Sequence, residues 1–120
     1  MLIVDDDELI LDSIQSMLEV LGHEVSKAPC GEDALAKLEA GYEPDVVILD
    51  MNMPGLSGVG TLPRIRALLP MVPIILSTGK TDQITLGLAA NHPRVTLLPK
   101  PFGLRDLQRL LDTLGLGKRP

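Results

Sequence analysis

Apolar and polar positions along this chain alternate between two periods, short apolar runs that end in polar residues and longer stretches with helical spacing. Leu2-Ile3-Val4 opens the chain and stops at Asp5-Asp6-Asp7-Glu8. Ile10, Ile14, Met17 and Leu21 then follow at steps of four, three and four, which predicts an amphipathic helix stopped by Gly22. His23 to Ala28 reads as a second, less apolar strand nearer an edge, and Gly31 to Ala40 as a short helix with Ala34, Leu35 and Leu38 inward. Asp45-Val-Val-Ile-Leu-Asp50 is apolar and β-branched without in/out alternation, which suits a strand covered on both faces, and Pro54-Gly55 turns the chain after it. A glycine-rich loop leads to a helix carrying Leu62, Ile65, Leu68 and Leu69. Pro63 predicts a kink there or a late start near Thr61. Val72 to Ser77 is a fourth strand. Thr81 to Ala90 is a weak helix, since Thr85 and Gly87 leave it only Ile84 and Leu88 as large anchors. Val95 to Leu98 is a fifth strand, and Leu104, Leu107, Leu110, Leu111 and Leu114 mark a last helix.

Five strand–helix alternations with short connections predict a doubly wound α/β fold, a five-stranded parallel sheet with helices on both faces. The length of 120 residues suits one domain over 1–120, with residues 115–120 as a frayed tail or linker. With one Tyr and one Phe, the core must be aliphatic. A net charge of −5 without basic clusters, except Lys118-Arg119, argues against direct nucleic-acid contact. Cys30 is the only cysteine, so no internal disulfide and no thiolate metal set exist; it reads as a small filler near a helix start, in a reducing cytoplasm. No apolar run approaches the roughly 18 residues of a membrane span. His23 and His92 read as surface residues, and Met51 and Met53 as loop packing.

In a parallel α/β sheet the strand ends share one rim, where ligands bind. Here those ends carry Asp5-Asp6, Asp50, Thr78 and Lys100. Taken singly, each has a plain structural reading. Asp5 to Asp7 suit an acidic helix start, Asp50 a turn, Thr78 a helix entry and Lys100 a solvated lysine before proline. Taken together, three crowded carboxylates call for a cation or a proton, and all-oxygen ligation at a shallow rim suits Mg²⁺. Thr78 and Lys100 would supply a hydrogen bond and a positive charge to a phosphoryl group, and a neutralised Asp50 could be the nucleophile that forms an aspartyl phosphate.

The motifs Ile3-Val-Asp-Asp-Asp-Glu8, Pro44-Asp-Val-Val-Ile-Leu-Asp-Met-Asn-Met-Pro-Gly-Leu-Ser-Gly58, Pro73-Ile-Ile-Leu-Ser-Thr-Gly79 and Pro99-Lys-Pro-Phe102 carry a resemblance over essentially the full length. The chain resembles the receiver domain of two-component response regulators. That resemblance implies a flavodoxin-like fold in strand order 2-1-3-4-5, with Asp50 accepting a phosphoryl group from a histidine kinase or a histidine phosphotransfer domain. It implies side-chain ligation of Mg²⁺ by Asp6 and Asp50, a backbone carbonyl ligand from Asn52, and Asp5 acting largely through water. Thr78 would bond the phosphoryl oxygen, Lys100 would pair with it, and the Lys100–Pro101 bond would be cis. Lys80 and Asn52 occupy positions that in the family influence water's access to the phosphoaspartate.

One departure is Leu97, which stands three residues before the lysine where many receivers carry an aromatic or histidine switch. Other readings are a haloacid-dehalogenase-like phosphohydrolase, which usually needs an acid where Asn52 stands, and an FMN-binding protein, whose phosphate loop the acidic Asp5 to Glu8 would oppose. A degenerate receiver that docks partners without phosphorylation is a further reading, disfavoured by the complete acidic, hydroxyl and lysine set. The receiver is expected to be a phosphoacceptor module rather than an enzyme acting on other substrates. It stands alone or is a fragment of a transcription regulator or hybrid sensor kinase; a first strand so near Met1 leans toward a fragment. An output domain or effector protein, and a dimer formed on phosphorylation, remain open as partners.

Overall fold

The computed structural model describes residues 1–50, 58–79, 87, 90 and 94–115. Five strands, β1 (Leu2–Val4), β2 (Ser26–Ala28), β3 (Val47–Asp50), β4 (Ile74–Thr78) and β5 (Val95–Pro99), form one sheet in the order β2-β1-β3-β4-β5. All four pairings are parallel. The described helices are α1 (Glu8–Val20), α2 (Gly31–Glu39), α3 (Gly58–Leu68) and α4 (Leu104–Thr113). This is the doubly wound α/β architecture that the sequence pattern predicts, in the strand order that the resemblance implies. The helix expected over 81–90 falls on residues largely outside the described ones. The tail expected over 115–120 is described only at Gly115, where φ is 77°.

Continuous apolar runs make sense once the two faces are separated. Leu2, Val4, Val47, Leu49, Ile74 and Leu76 point into a core closed by Leu35 and Leu38 of α2 and by Leu62 and Ile65 of α3. Ile3, Ile48, Ile75 and Leu98 point the other way, against Leu11, Ile14 and Leu18 of α1 and Leu107 and Leu111 of α4. Successive strand side chains thus serve different cores, so the central strands stay apolar until their carboxyl ends, where Asp50, Ser77 and Thr78 stand. The interior is aliphatic, as the composition requires.

Three expectations need correction. The inward face of α1 is centred on Leu11, Ile14 and Leu18, whereas Ile10 and Met17 pack only at its margin. Its apolar stripe is wider than one row, and the sheet selects the centre of that stripe. His23 is buried, not on the surface. Gly22 (φ 88°) donates its amide to Glu19 O at 3.0 Å, and His23 N donates to Leu18 O at 3.0 Å. This left-handed helix stop folds the residue after the glycine back over the last turn, next to the fully buried Leu18. Finally, of the two outcomes expected at Pro63, a kink or a late start near Thr61, the late start does not occur: α3 begins at Gly58 and runs through Pro63. One missing amide in the second turn is outweighed by Leu62 and Ile65, both fully buried.

Arg66 ties this region together. Its Nη1 donates to Leu69 O at 2.8 Å and Val72 O at 2.6 Å, and its Nη2 to Arg94 O at 3.2 Å. The end of α3 is thereby fixed to the starts of β4 and β5, whose far ends carry site residues.

Candidate functional site at the carboxyl rim of the sheet

The site is built at the carboxyl ends of four strands. Past Val4, the buried Asp5 accepts the Asp7 amide on Oδ1 at 3.0 Å. Asp7 in turn caps α1, its Oδ1 accepting from Leu9 N at 2.9 Å and Ile10 N at 3.4 Å. The acidic run therefore divides. Asp7 has the helix-start role that its composition suggests, while Asp5 and Asp6 are left for the rim. Asp50 ends β3 and is buried.

Asp5, Asp6 and Asp50 each offer a carboxylate oxygen, and these three oxygens lie within 4.8 Å of one another. Lys100, just past β5, reaches into the cluster with Nζ 3.0 Å from Asp50 Oδ1 and 3.4 Å from Asp5 Oδ2. Burial raises the pKa of Asp5, helped by the charge of Asp50; the Asp7 amide and Lys100 pull the other way without cancelling it. For Lys100, burial disfavours the ammonium, but the hydrogen bond to Asp50 and the charges of Asp50 and Asp5 outweigh it and raise its pKa. The cluster is thus short of positive charge, and one lysine neutralises it only in part.

An all-oxygen, crowded and partly open donor set fits a hard divalent cation. Both Asp5 oxygens are already engaged, one by the Asp7 amide and one by Lys100. Asp50 likewise accepts Lys100 Nζ on Oδ1, so the lysine bridges two of the three carboxylates of the cluster.

Thr78, the last residue of the neighbouring β4, is buried, and its carbonyl accepts the Lys100 amide at 2.7 Å. It lies one residue past Ser77, the register partner of Asp50. The Lys100–Pro101 bond is cis. Leu97 is half-buried on β5 and packs on the α2/α3 core. Of the expected site residues, Asp5, Asp6, Asp50 and Lys100 come together and Thr78 stands on the adjoining strand end. Asn52 lies outside the described residues, as do Lys80, Met51, Met53 and His92. The sequence reading passed over Ser77, a hydroxyl buried in the row of Asp50; a polar residue closing an apolar run was the available signal.

The family model for the response regulator receiver domain matches residues 1–112. A transcriptional regulatory protein, the CpxR homolog of Haemophilus influenzae, is 36% identical over 107 residues, covering 89% of this chain and 46% of that protein. The chain spans about half the length of several curated relatives it matches. Chemotaxis protein CheY4 of Vibrio cholerae superposes with a TM-score of 0.85 at 30% identity, covering 93% of this chain and 94% of that one. The receiver domain of a sensor histidine kinase from Pseudomonas aeruginosa, with magnesium coordinated in its active-site cleft, gives a TM-score of 0.82 at 30% identity, with 93% of each chain covered. Sheet order, rim chemistry and the family match agree: the chain belongs to the response regulator receiver domains, a family of signalling modules.

Proposed function

We propose that Asp50 is the phosphoacceptor of this receiver and that a phosphohistidine on a kinase or phosphotransfer domain is the donor. A carboxylate oxygen of Asp50 attacks phosphorus as the phosphorus–nitrogen bond breaks, and the imidazole departs with the bonding pair. The product is an acyl phosphate on Asp50. Lys100 binds a phosphoryl oxygen through its ammonium, and Thr78 provides a hydroxyl to another. Asp6 and Asp50 would hold Mg²⁺ by side chain, Asn52 by its backbone carbonyl and Asp5 through water. Bound there, the cation offsets the negative charge shared by the carboxylates and the incoming phosphoryl group. The observation that carries this reading is the cation–carboxylate geometry, with Lys100 Nζ 3.0 Å from Asp50 Oδ1 inside a three-carboxylate cluster.

Phosphorylation then biases a conformational equilibrium that a partner reads. In the cytoplasm, the receiver would act within a longer regulator that carries an output domain, as the relatives' lengths and names suggest. Incubation with acetyl phosphate or phosphoramidate and Mg²⁺ is expected to add one phosphoryl group by intact mass, and Asp50→Asn to abolish the addition. Labelling that persists in Asp50→Asn would overturn the assignment.

A further inference from the structure

Lys100 stands on the β5 side of the sheet, yet its ammonium reaches Asp50 on β3 and Asp5 just past β1. To get there the side chain must cross the end of β4. The residue of β4 in that row is Ser77, the register partner of Asp50 on one side and of Leu98 on the other. Strand alternation turns Ser77 toward the same face as Ile75, Ile48 and Leu98, the face closed by α1 and α4. Asp50 and Lys100 continue that face along β3 and β5, two residues past Ile48 and Leu98. Register and alternation thus put Ser77 on the face of β4 that lies between Asp50 and the β5 strand from which Lys100 reaches.

Two hydrogen-bonding capacities are unused in that row. Ser77 is 1% exposed, and its Oγ has no hydrogen-bond partner among the described residues. A buried hydroxyl left in that condition costs free energy, so a role in another state of the site is the economical explanation. The Lys100 ammonium has three N–H groups, and its hydrogen bonds among the described residues go to two acceptors, Asp50 Oδ1 and Asp5 Oδ2. The longer of the two, 3.4 Å, is the bond to Asp5. A divalent cation drawn to the carboxylates repels the ammonium, and the bond to Asp5 is the one nearest to failing.

We propose that Ser77 is a positioning residue for Lys100: its hydroxyl accepts the ammonium N–H that Asp5 gives up when the carboxylate cluster binds a divalent cation. The lysine then withdraws along β4 while keeping Asp50, and it stays aimed at the oxygen that a phosphoryl group would present. The inference rests on the reading of the cluster as a Mg²⁺ site.

The test measures Mg²⁺ binding by calorimetry for the wild-type chain, Ser77→Ala and Ser77→Thr, together with nitrogen and proton resonances of the Lys100 side chain, assigned through Lys100→Arg. Without Mg²⁺, Ser77→Ala should melt at or above the wild-type temperature, because an unpartnered hydroxyl is removed. With Mg²⁺, its Kd should rise about three- to tenfold, the range expected for the net loss of one ordinary hydrogen bond. The Lys100 ammonium signal should exchange faster with water than in the wild type, and Ser77→Thr, which keeps the hydroxyl, should restore both. Equal Mg²⁺ affinity in Ser77→Ala, or a loss in Ser77→Thr as large as in Ser77→Ala, overturns the role of Ser77 while leaving the metal site intact. If the wild-type chain itself binds no Mg²⁺, the carboxylate reading fails and this inference with it.

Discussion

Lys100 balances two buried carboxylates while keeping 23% of its own side chain in water. Removing it leaves Asp5 and Asp50 facing each other without the cation that joined them. Lys100→Ala should therefore destabilise the metal-free protein by about 1–3 kcal/mol, less than for a fully enclosed pair because the lysine is partly solvated. Mg²⁺ affinity should hold or rise, since the cluster becomes more negative, while phosphorylation by acetyl phosphate should fall sharply. Calorimetry and intact mass on the same sample separate the two effects, and a parallel loss of both would mean that the lysine helps to hold the metal. At this scale the sequence was informative where a charge interrupts an apolar run, because a buried strand cannot end in a carboxylate or an ammonium without a partner. Ser77 and His23 carry no such cost on paper. A serine suits many strands, and the burial of His23 follows from a helix stop that also had to be traced to the residue after Gly22.

Elements fix the site by how they begin and end. Asp7 starts α1 by accepting two of its free amides, so Asp7→Ala should cost about 1 kcal/mol in denaturant unfolding. Its Oδ1 is taken by the helix amides, so Mg²⁺ affinity should move little; a large drop would place Asp7 in the metal site as well. Pro63 is the opposite case, a residue that the element tolerates. Pro63→Ala restores an amide to the second turn of α3 and should stabilise the protein by about 1–3 kcal/mol, somewhat offset by the looser unfolded chain. A net loss on denaturation would show that the ring packs in a way the helix depends on. Spacing predicted these helices because their apolar positions recur near the helical period. Its late-start alternative for α3 fails because proline preference is local, whereas the burial of Leu62 and Ile65 that overrides it is set by the sheet. Nor does spacing announce Arg66, whose three carbonyl partners belong to segments as distant as Arg94.

Across the whole molecule, a sheet covered on both sides gives rigid strands whose ends converge on one rim, and the chemistry of that rim is coupled to global stability. Leu97 stands where many receivers carry an aromatic residue, and β4 with its Thr78 terminus joins the rim to β5. The coupling itself can be read by titration. The pKa of Asp5 is raised in the fold above its ordinary 3.8 by burial and by the charge of Asp50. A raised value means that the native state holds the proton more tightly than the unfolded chain. The contribution of Asp5 is therefore largest below about 3.8 and is lost as pH rises through its higher native value. Lys100 has the same sign in the alkaline range: its stabilisation is present below its ordinary 10.5 and is lost above it. Metal-free protein should accordingly gain stability from Asp5 as pH falls from neutrality toward that acidic range. Mg²⁺ at neutral pH should supply the missing positive charge instead, raising stability in proportion to its occupancy and steepening the fall on acidification as protons displace it. Thermal unfolding with and without Mg²⁺, repeated on Asp5→Asn, isolates the contribution. The variant should lose the acid-side gain of the metal-free protein, and an unchanged gain would assign it to carboxylates elsewhere on this acidic surface.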